Sequence, residues 1–173
     1  MEESRLLLLK GLSFLLQYPQ EDDFLIFDPA ELPRGVIDAA LSSFLSYRKE
    51  RPLLRIQEEY TRTFDLRPAT SLNLTFHHPK AECRGTLLID LQNIYADAGY
   101  ENLPGELPDY LPLILEFLSV CPEEHSLRIA REYAPAVNLL ASRLEEAGSP
   151  YAGLVGAAGR LFADFAGRSG ALV

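Results

Sequence analysis

The chain has 173 residues, 47% of them hydrophobic, with a formal net charge of −9 and a sequence pI of about 4.8. That length suits one domain with a real apolar core, and the lack of a basic stripe excludes an ordinary nucleic-acid binder while favouring basic partners. The two cysteines, Cys83 and Cys121, are too sparse for a secreted disulfide scaffold and read as reduced thiols of a cytoplasmic protein.

Leu6 to Leu9 and Leu12 to Leu16 form the first apolar stretch. Glu2 and Glu3 precede it where a signal peptide needs positive charge, and Lys10-Gly11 interrupt it. It falls short of the ~20 apolar residues of a membrane span. It predicts a buried first helix over Glu3–Gln17, ended by Pro19. Gln20 to Arg34, acidic and carrying Pro29 and Pro33, reads as a loop. A second helix follows over Gly35–Arg48, with Val36, Ala40, Leu41, Phe44 and Leu45 as its apolar side. Pro52 opens a third, in which Leu53, Ile56, Gln57, Tyr60 and Phe64 recur at helical spacing and Glu58, Glu59 and Arg62 face away; Pro68 ends it. From Ala69 to Pro79, Leu72, Leu74 and Phe76 alternate with polar residues as in a strand. A strand needs a partner, which a helical chain lacks, so this segment is expected to be an extended, partly buried connector.

The fourth helix spans Ala81–Ala98, with Leu87, Leu88, Leu91, Ile94 and Tyr95 as its stripe and Gly99 as its stop. Gly105 to Leu118 then packs two prolines, three carboxylates and a tyrosine around the start of a fifth helix, whose buried face is Leu111, Ile114, Leu115 and Leu118. Pro122 precedes a sixth helix over Glu123–Ala147, which could bend at Pro135. Gly148-Ser149-Pro150 is a turn, and a seventh helix covers Pro150–Ala166. The pattern predicts an all-α, single-domain bundle of about seven helices over residues 1–166, with a frayed tail over 167–173.

The start of the fifth helix carries more acid and more rigidity than capping requires. If Asp109 is the N-cap, Pro112 sits at the third helical position and costs no bond; if Pro108 is the first helical residue, Pro112 removes one. In both cases Asp109 and Glu116, seven residues apart, share a face with Leu113 between them and Tyr110 at its edge. Such a face could receive a basic or amphipathic peptide. The alternative is that Glu106 and Asp109 only complement the helix dipole. A general acid and base pair is a further reading, though no cleft is evident.

His77, His78 and Cys83 lack metal-site spacing, so no metal is expected, and a histidine bound to a backbone carbonyl is the simpler role. Gly153, Gly156 and Gly159 follow no strand, so they read as a small-residue packing face rather than a phosphate cradle. No nucleophile elbow or Gly-Lys-Ser/Thr motif occurs.

Three segments together carry a resemblance: Glu59-Tyr60-Thr61-Arg62-Thr63-Phe64-Asp65-Leu66, Ser71-Leu72-Asn73-Leu74-Thr75-Phe76-His77, and Glu106-Leu107-Pro108-Asp109-Tyr110-Leu111-Pro112 leading to Leu115-Glu116-Phe117. In this order and spacing the chain resembles the NarJ-type assembly chaperones of respiratory nitrate reductase, within the wider TorD/DmsD group of redox-enzyme maturation proteins. The resemblance implies an all-helical cytoplasmic protein that is not an enzyme and holds no cofactor. It implies a partner: the apo catalytic subunit of a molybdoenzyme, bound by its N-terminal twin-arginine segment or remnant until the molybdenum cofactor is inserted. By analogy Glu106, Asp109, Tyr110 and Glu116 would attract that peptide and Tyr60, Phe64 and Leu113 would offer apolar contact. Asp65, Ser71 and His77 match family positions without an assigned role. No nucleic acid and no membrane insertion are expected, and the chain is expected as a monomer or weak dimer. Two other readings stay open: a small helical hydrolase or lyase using Asp109 and Glu116, and a structural subunit of a membrane redox complex.

Overall fold

The computed structural model describes residues 2–21, 39–101 and 105–167. The expected loop from Gln20 to Arg34, the start of the second helix and the tail beyond Gly167 lie largely outside these residues. Seven α-helices occur among the described residues: α1 (Glu2–Leu15), α2 (Ala39–Lys49), α3 (Leu53–Tyr60), α4 (Arg84–Asp97), α5 (Leu111–Leu118), α6 (Glu123–Glu146) and α7 (Ala152–Gly167). The all-helical expectation is borne out. No described helix is long and apolar enough to cross a membrane.

The bundle is built on the α6–α7 pair, which has the most extensive contact. α1 packs against α5 and α7, and α2 packs against α7. Leu9, Leu12 and Leu16 from the N-terminal stretch are fully buried, as are Leu115, Leu140 and Phe162. The apolar N-terminal run is thus a core helix, consistent with its i, i+3, i+4, i+7 spacing. In the small-residue face of α7, one glycine has a clear steric reason. A Cβ on Gly159 would stand 2.6 Å from Asn138 Oδ1 of α6. A Cβ on Gly156 would make only ordinary contact, 3.9 Å from Arg160 Nη1.

Two helices end in the same way. Gly99 after α4 has φ of +81°, with Tyr100 N–H donating to Tyr95 O and Gly99 N–H to Ala96 O. Gly148 after α6 has φ of +63°, with Ser149 N–H donating to Leu144 O and Gly148 N–H to Glu145 O. Both are six-to-one closures that need a left-handed residue, which glycine supplies without a Cβ clash. α6 runs through Pro135, which is exposed.

α3 passes directly into a π-turn over Thr61–Asp65, closed by Leu66 N–H donating to Thr61 O at 3.1 Å. The connector after it consists of short 3-10 turns over Pro68–Thr70 and Leu74–His77. The turn over Leu74–His77 packs on α6. The alternation of Leu72 and Leu74 does find a partner. Asn73 pairs with Tyr110 in an isolated antiparallel bridge, in which Leu74 N–H donates to Asp109 O and Leu111 N–H to Leu72 O, each at 2.9 Å. The expected extended connector is therefore a series of turns with one bridge, because the chain before α5 is itself extended and offers a ladder edge.

Candidate functional site

The residues singled out in the sequence fall into an inner set and an outer set. Asp109 belongs to the inner one. α5 begins at Leu111 with Tyr110 as its N-cap, and Pro112 stands in the first turn, where no intrahelical bond is lost. Asp109 precedes the helix and is fully buried. Its carboxylate accepts from Asn73 Nδ2 at 3.0 Å, from the Thr75 N–H at 3.1 Å and from the Thr75 hydroxyl. Thr75 Oγ1 in turn accepts from Arg84 Nε at 2.9 Å, and the Arg84 guanidinium lies over the Phe76 ring. A buried carboxylate is costly unless it is hydrogen-bonded. Here three donors, with a guanidinium one hydroxyl away, meet that need. Both expected placements of Asp109, as N-cap or first-turn residue on a face shared with Glu116, are corrected: it points inward and clamps the upstream turn.

His77 and Ser71 belong to the same clamp. Arg143 of α6 donates to His77 Nδ1 at 2.8 Å, so Nε2 carries the hydrogen and donates to Ser71 O at 2.7 Å. The expected bond from a histidine to a backbone carbonyl is present. Burial, partly opposed by the Ser71 carbonyl and reinforced by the Arg143 charge, holds His77 below the ordinary histidine range. Tyr60 and Phe64 are also interior, at 4% and 5% exposure, stacked edge-on at 4.9 Å with Tyr151 beside both. They support a surface rather than present one. The Tyr60 hydroxyl donates to Leu16 O at 3.0 Å, which leaves Tyr110 Oη, also 3.0 Å away, to donate to it. Burial pushes both hydroxyls above the usual tyrosine range.

The outer set lies along α5. Tyr110 and Leu113 are half-buried, while Glu116 and Val120 are exposed, so one stripe of the helix faces outward. Beside Tyr110 lie Glu106 and Asp65, exposed and close enough for both charges to act on its hydroxyl. Leu66 and Leu107, neighbours of these acids in sequence, are exposed leucines. At the other end a cleft of about 280 Å³ opens between α4 and α5. Tyr95, Tyr100, Leu113, Phe117 and Val120 wall it, and Glu101 and Glu116 supply its carboxylates. The aromatic wall is fixed: Phe117 packs 4.6 Å from Tyr95 and 5.5 Å from Tyr100, and the Tyr95 hydroxyl donates to Pro108 O at 2.6 Å.

The sequence points to Leu113 and Glu116 as peptide contacts, but it offers Tyr95 only as a core residue and Phe117 only as part of a family segment, and Tyr100, Glu101 and Val120 not at all. Two signals were present. Val120 is an apolar residue just past the end of α5, in the turn after Leu118, and Tyr100-Glu101 directly follow the Gly99 stop, where the chain must turn back over the helix end. Chemically, the cleft offers apolar and aromatic contact with the carboxyl groups of Glu101 and Glu116 at its edge.

A profile described as nitrate reductase delta subunit matches residues 30–156. The chain belongs to that family. The match takes in the π-turn, the clamp and the whole α4–α5 cleft. Among curated members, the probable nitrate reductase molybdenum cofactor assembly chaperone NarW of Escherichia coli (strain K12) is 36% identical over 148 residues, covering 83% of this chain and 63% of that protein. The nitrate reductase molybdenum cofactor assembly chaperone NarJ of the same organism is 37% identical over 140 residues, covering 80% of this chain and 58% of that protein. The probable NarJ of Bacillus subtilis (strain 168) is 35% identical over 157 residues, covering 84% and 82%. The chain thus spans about three fifths of the length of the Escherichia coli delta-subunit relatives.

Proposed function

We propose that this chain is a system-specific chaperone for a nitrate reductase. It holds the apo catalytic subunit by that subunit's N-terminal segment until the molybdenum cofactor is inserted. The names of the family relatives support the cofactor-assembly role. The observation that carries the binding mode is the α4–α5 cleft, aromatic inside and acidic at its edge. An arginine pair followed by an apolar stretch meets Glu101 and Glu116 with its charges and Tyr100, Leu113 and Val120 with its apolar side chains. Asp65, Glu106 and Tyr110 extend this track toward the start of α5. The protein acts in the cytoplasm by binding rather than catalysis, as a monomer or weak dimer. A hydrolase or lyase mechanism is less well supported, because Asp109 is occupied by its own donors and does not face Glu116.

Hydrogen exchange tests the placement. A peptide copying the first residues of the nitrate reductase catalytic subunit of the same organism should slow exchange at residues 95–101 and 110–120. Protection confined to other helices would remove the cleft from the site.

A further inference from the structure

A second concavity shares no residue with the cleft on α5. It measures about 580 Å³ and lies between α3 and the turn joining α6 to α7. One wall is Tyr47 of α2 with Arg51, Arg55, Glu58, Glu59 and Arg62; the other is Ala147, Gly148 and Pro150. Arg51 lies just before α3, Arg55 on it and Arg62 in the π-turn after it, and all three line the hollow. The Arg51 guanidinium lies 4.3 Å from the centre of the Tyr47 ring and donates to Tyr47 O at 3.3 Å. Arg55 pairs with Glu58 at 2.8 Å, and Arg62 pairs with Glu59.

On a chain of net charge −9, this hollow keeps an excess of positive charge, three guanidinium groups against two carboxylates. Helix-stabilising ion pairs explain Arg55 and Arg62 singly but not why all three arginines line one concavity. The exposed Arg55–Glu58 pair holds weakly, so a better anion can take Arg55 from it, while Glu59 is largely covered and keeps a bond from the Thr63 hydroxyl when Arg62 turns to the anion. Phosphate is that anion for arginine, since the planar guanidinium matches its oxygens two at a time. The volume lies within the range of small-molecule sites. Behind the wall, the fully buried Tyr151 hydroxyl has no hydrogen-bond partner among the described residues.

We propose that this cleft binds a phosphate-bearing small molecule, with Arg51, Arg55 and Arg62 holding the phosphate oxygens and Tyr47 fixing Arg51. Binding exchanges the Glu58 and Glu59 pairings for the phosphate, so the two glutamates set the threshold for occupancy.

Calorimetric titration of the full chain with inorganic pyrophosphate tests this. Saturable one-site binding is expected. R55Q/R62Q should weaken it at least tenfold, and E59Q should strengthen it. R128Q/R131Q, on exposed positions of α6, should leave it within about twofold, and circular dichroism should show each variant folded. No saturable binding, or equal weakening by both arginine pairs, overturns the proposal. So does loss of binding to the catalytic-subunit peptide in R55Q/R62Q, because the hollow would then be part of the peptide site.

Discussion

Asp109 and Glu116 have different jobs, although both are acids near one helix. Asp109 orders the Asn73–Thr75 turn from inside, whereas Glu116 stands in the open at the edge of an apolar cleft. Asp109→Ala should therefore cost about 3 kcal/mol of stability, since it strands the Asn73 amide and the Thr75 N–H and hydroxyl that had bonded a carboxylate; denaturant unfolding measures it. Glu116→Ala should leave stability within about 0.5 kcal/mol, as exposed substitutions do, and weaken peptide binding. A double substitution would merge the two effects. His77 gives a pH signature. Its folded-state value lies below the ordinary 6.5, so on acidification the unfolded chain takes up a proton that the folded chain refuses. Stability should fall as pH drops below about 6.5, with no contribution from this group above it, and His77→Gln should flatten that slope in urea titrations at pH 5 to 7.5. The contrast between the two acids was not legible in the sequence. Spacing shows that residues 109 and 116 could share a face, but whether 109 is inside the helix depends on a bridge to residue 73, and long-range pairing leaves no local mark.

At the scale of elements, the helices were legible because each has a clear punctuator. Pro19, Pro52, Gly99, Pro122 and the Gly148 turn mark ends that the structure places within a few residues. The connector was harder. Its alternation was real, but its partner was two residues of extended chain before α5 rather than a strand. The π-turn after α3 was invisible because Tyr60 and Phe64 keep helical spacing through it. Gly99 joins fold to site, since its left-handed turn places Tyr100 and Glu101 over the cleft. Gly99→Ala should cost about 1 kcal/mol in stability and also weaken peptide binding. Thermal unfolding and titration of the same variant separate the two. At the α6–α7 contact, Gly159→Leu should cost about 2 kcal/mol by forcing the helices apart at Asn138.

For the whole molecule, acidity and family membership agree. A net charge of −9 favours basic partners over distance, and in the proposed function the cleft on α5 gives that attraction an apolar end point. The buried clamp of Asn73, Thr75, Arg84 and Asp109 keeps α5 in place while its outer stripe stays free to bind. This division accounts for why the most recognisable segment, Leu107 to Pro112, is mostly interior: its prolines and aspartate set the start of the helix, and under the proposed function the helix presents the contacts. The central claim is that Glu101 and Glu116 hold the basic part of the catalytic subunit's N-terminal segment. The direct measurement is calorimetric titration of that peptide into the wild-type chain and into E101Q/E116Q, at low and at high salt. The account predicts a loss of about fivefold or more at low salt that shrinks as salt screens the exposed charges. Equal affinity for both proteins at low salt would contradict it.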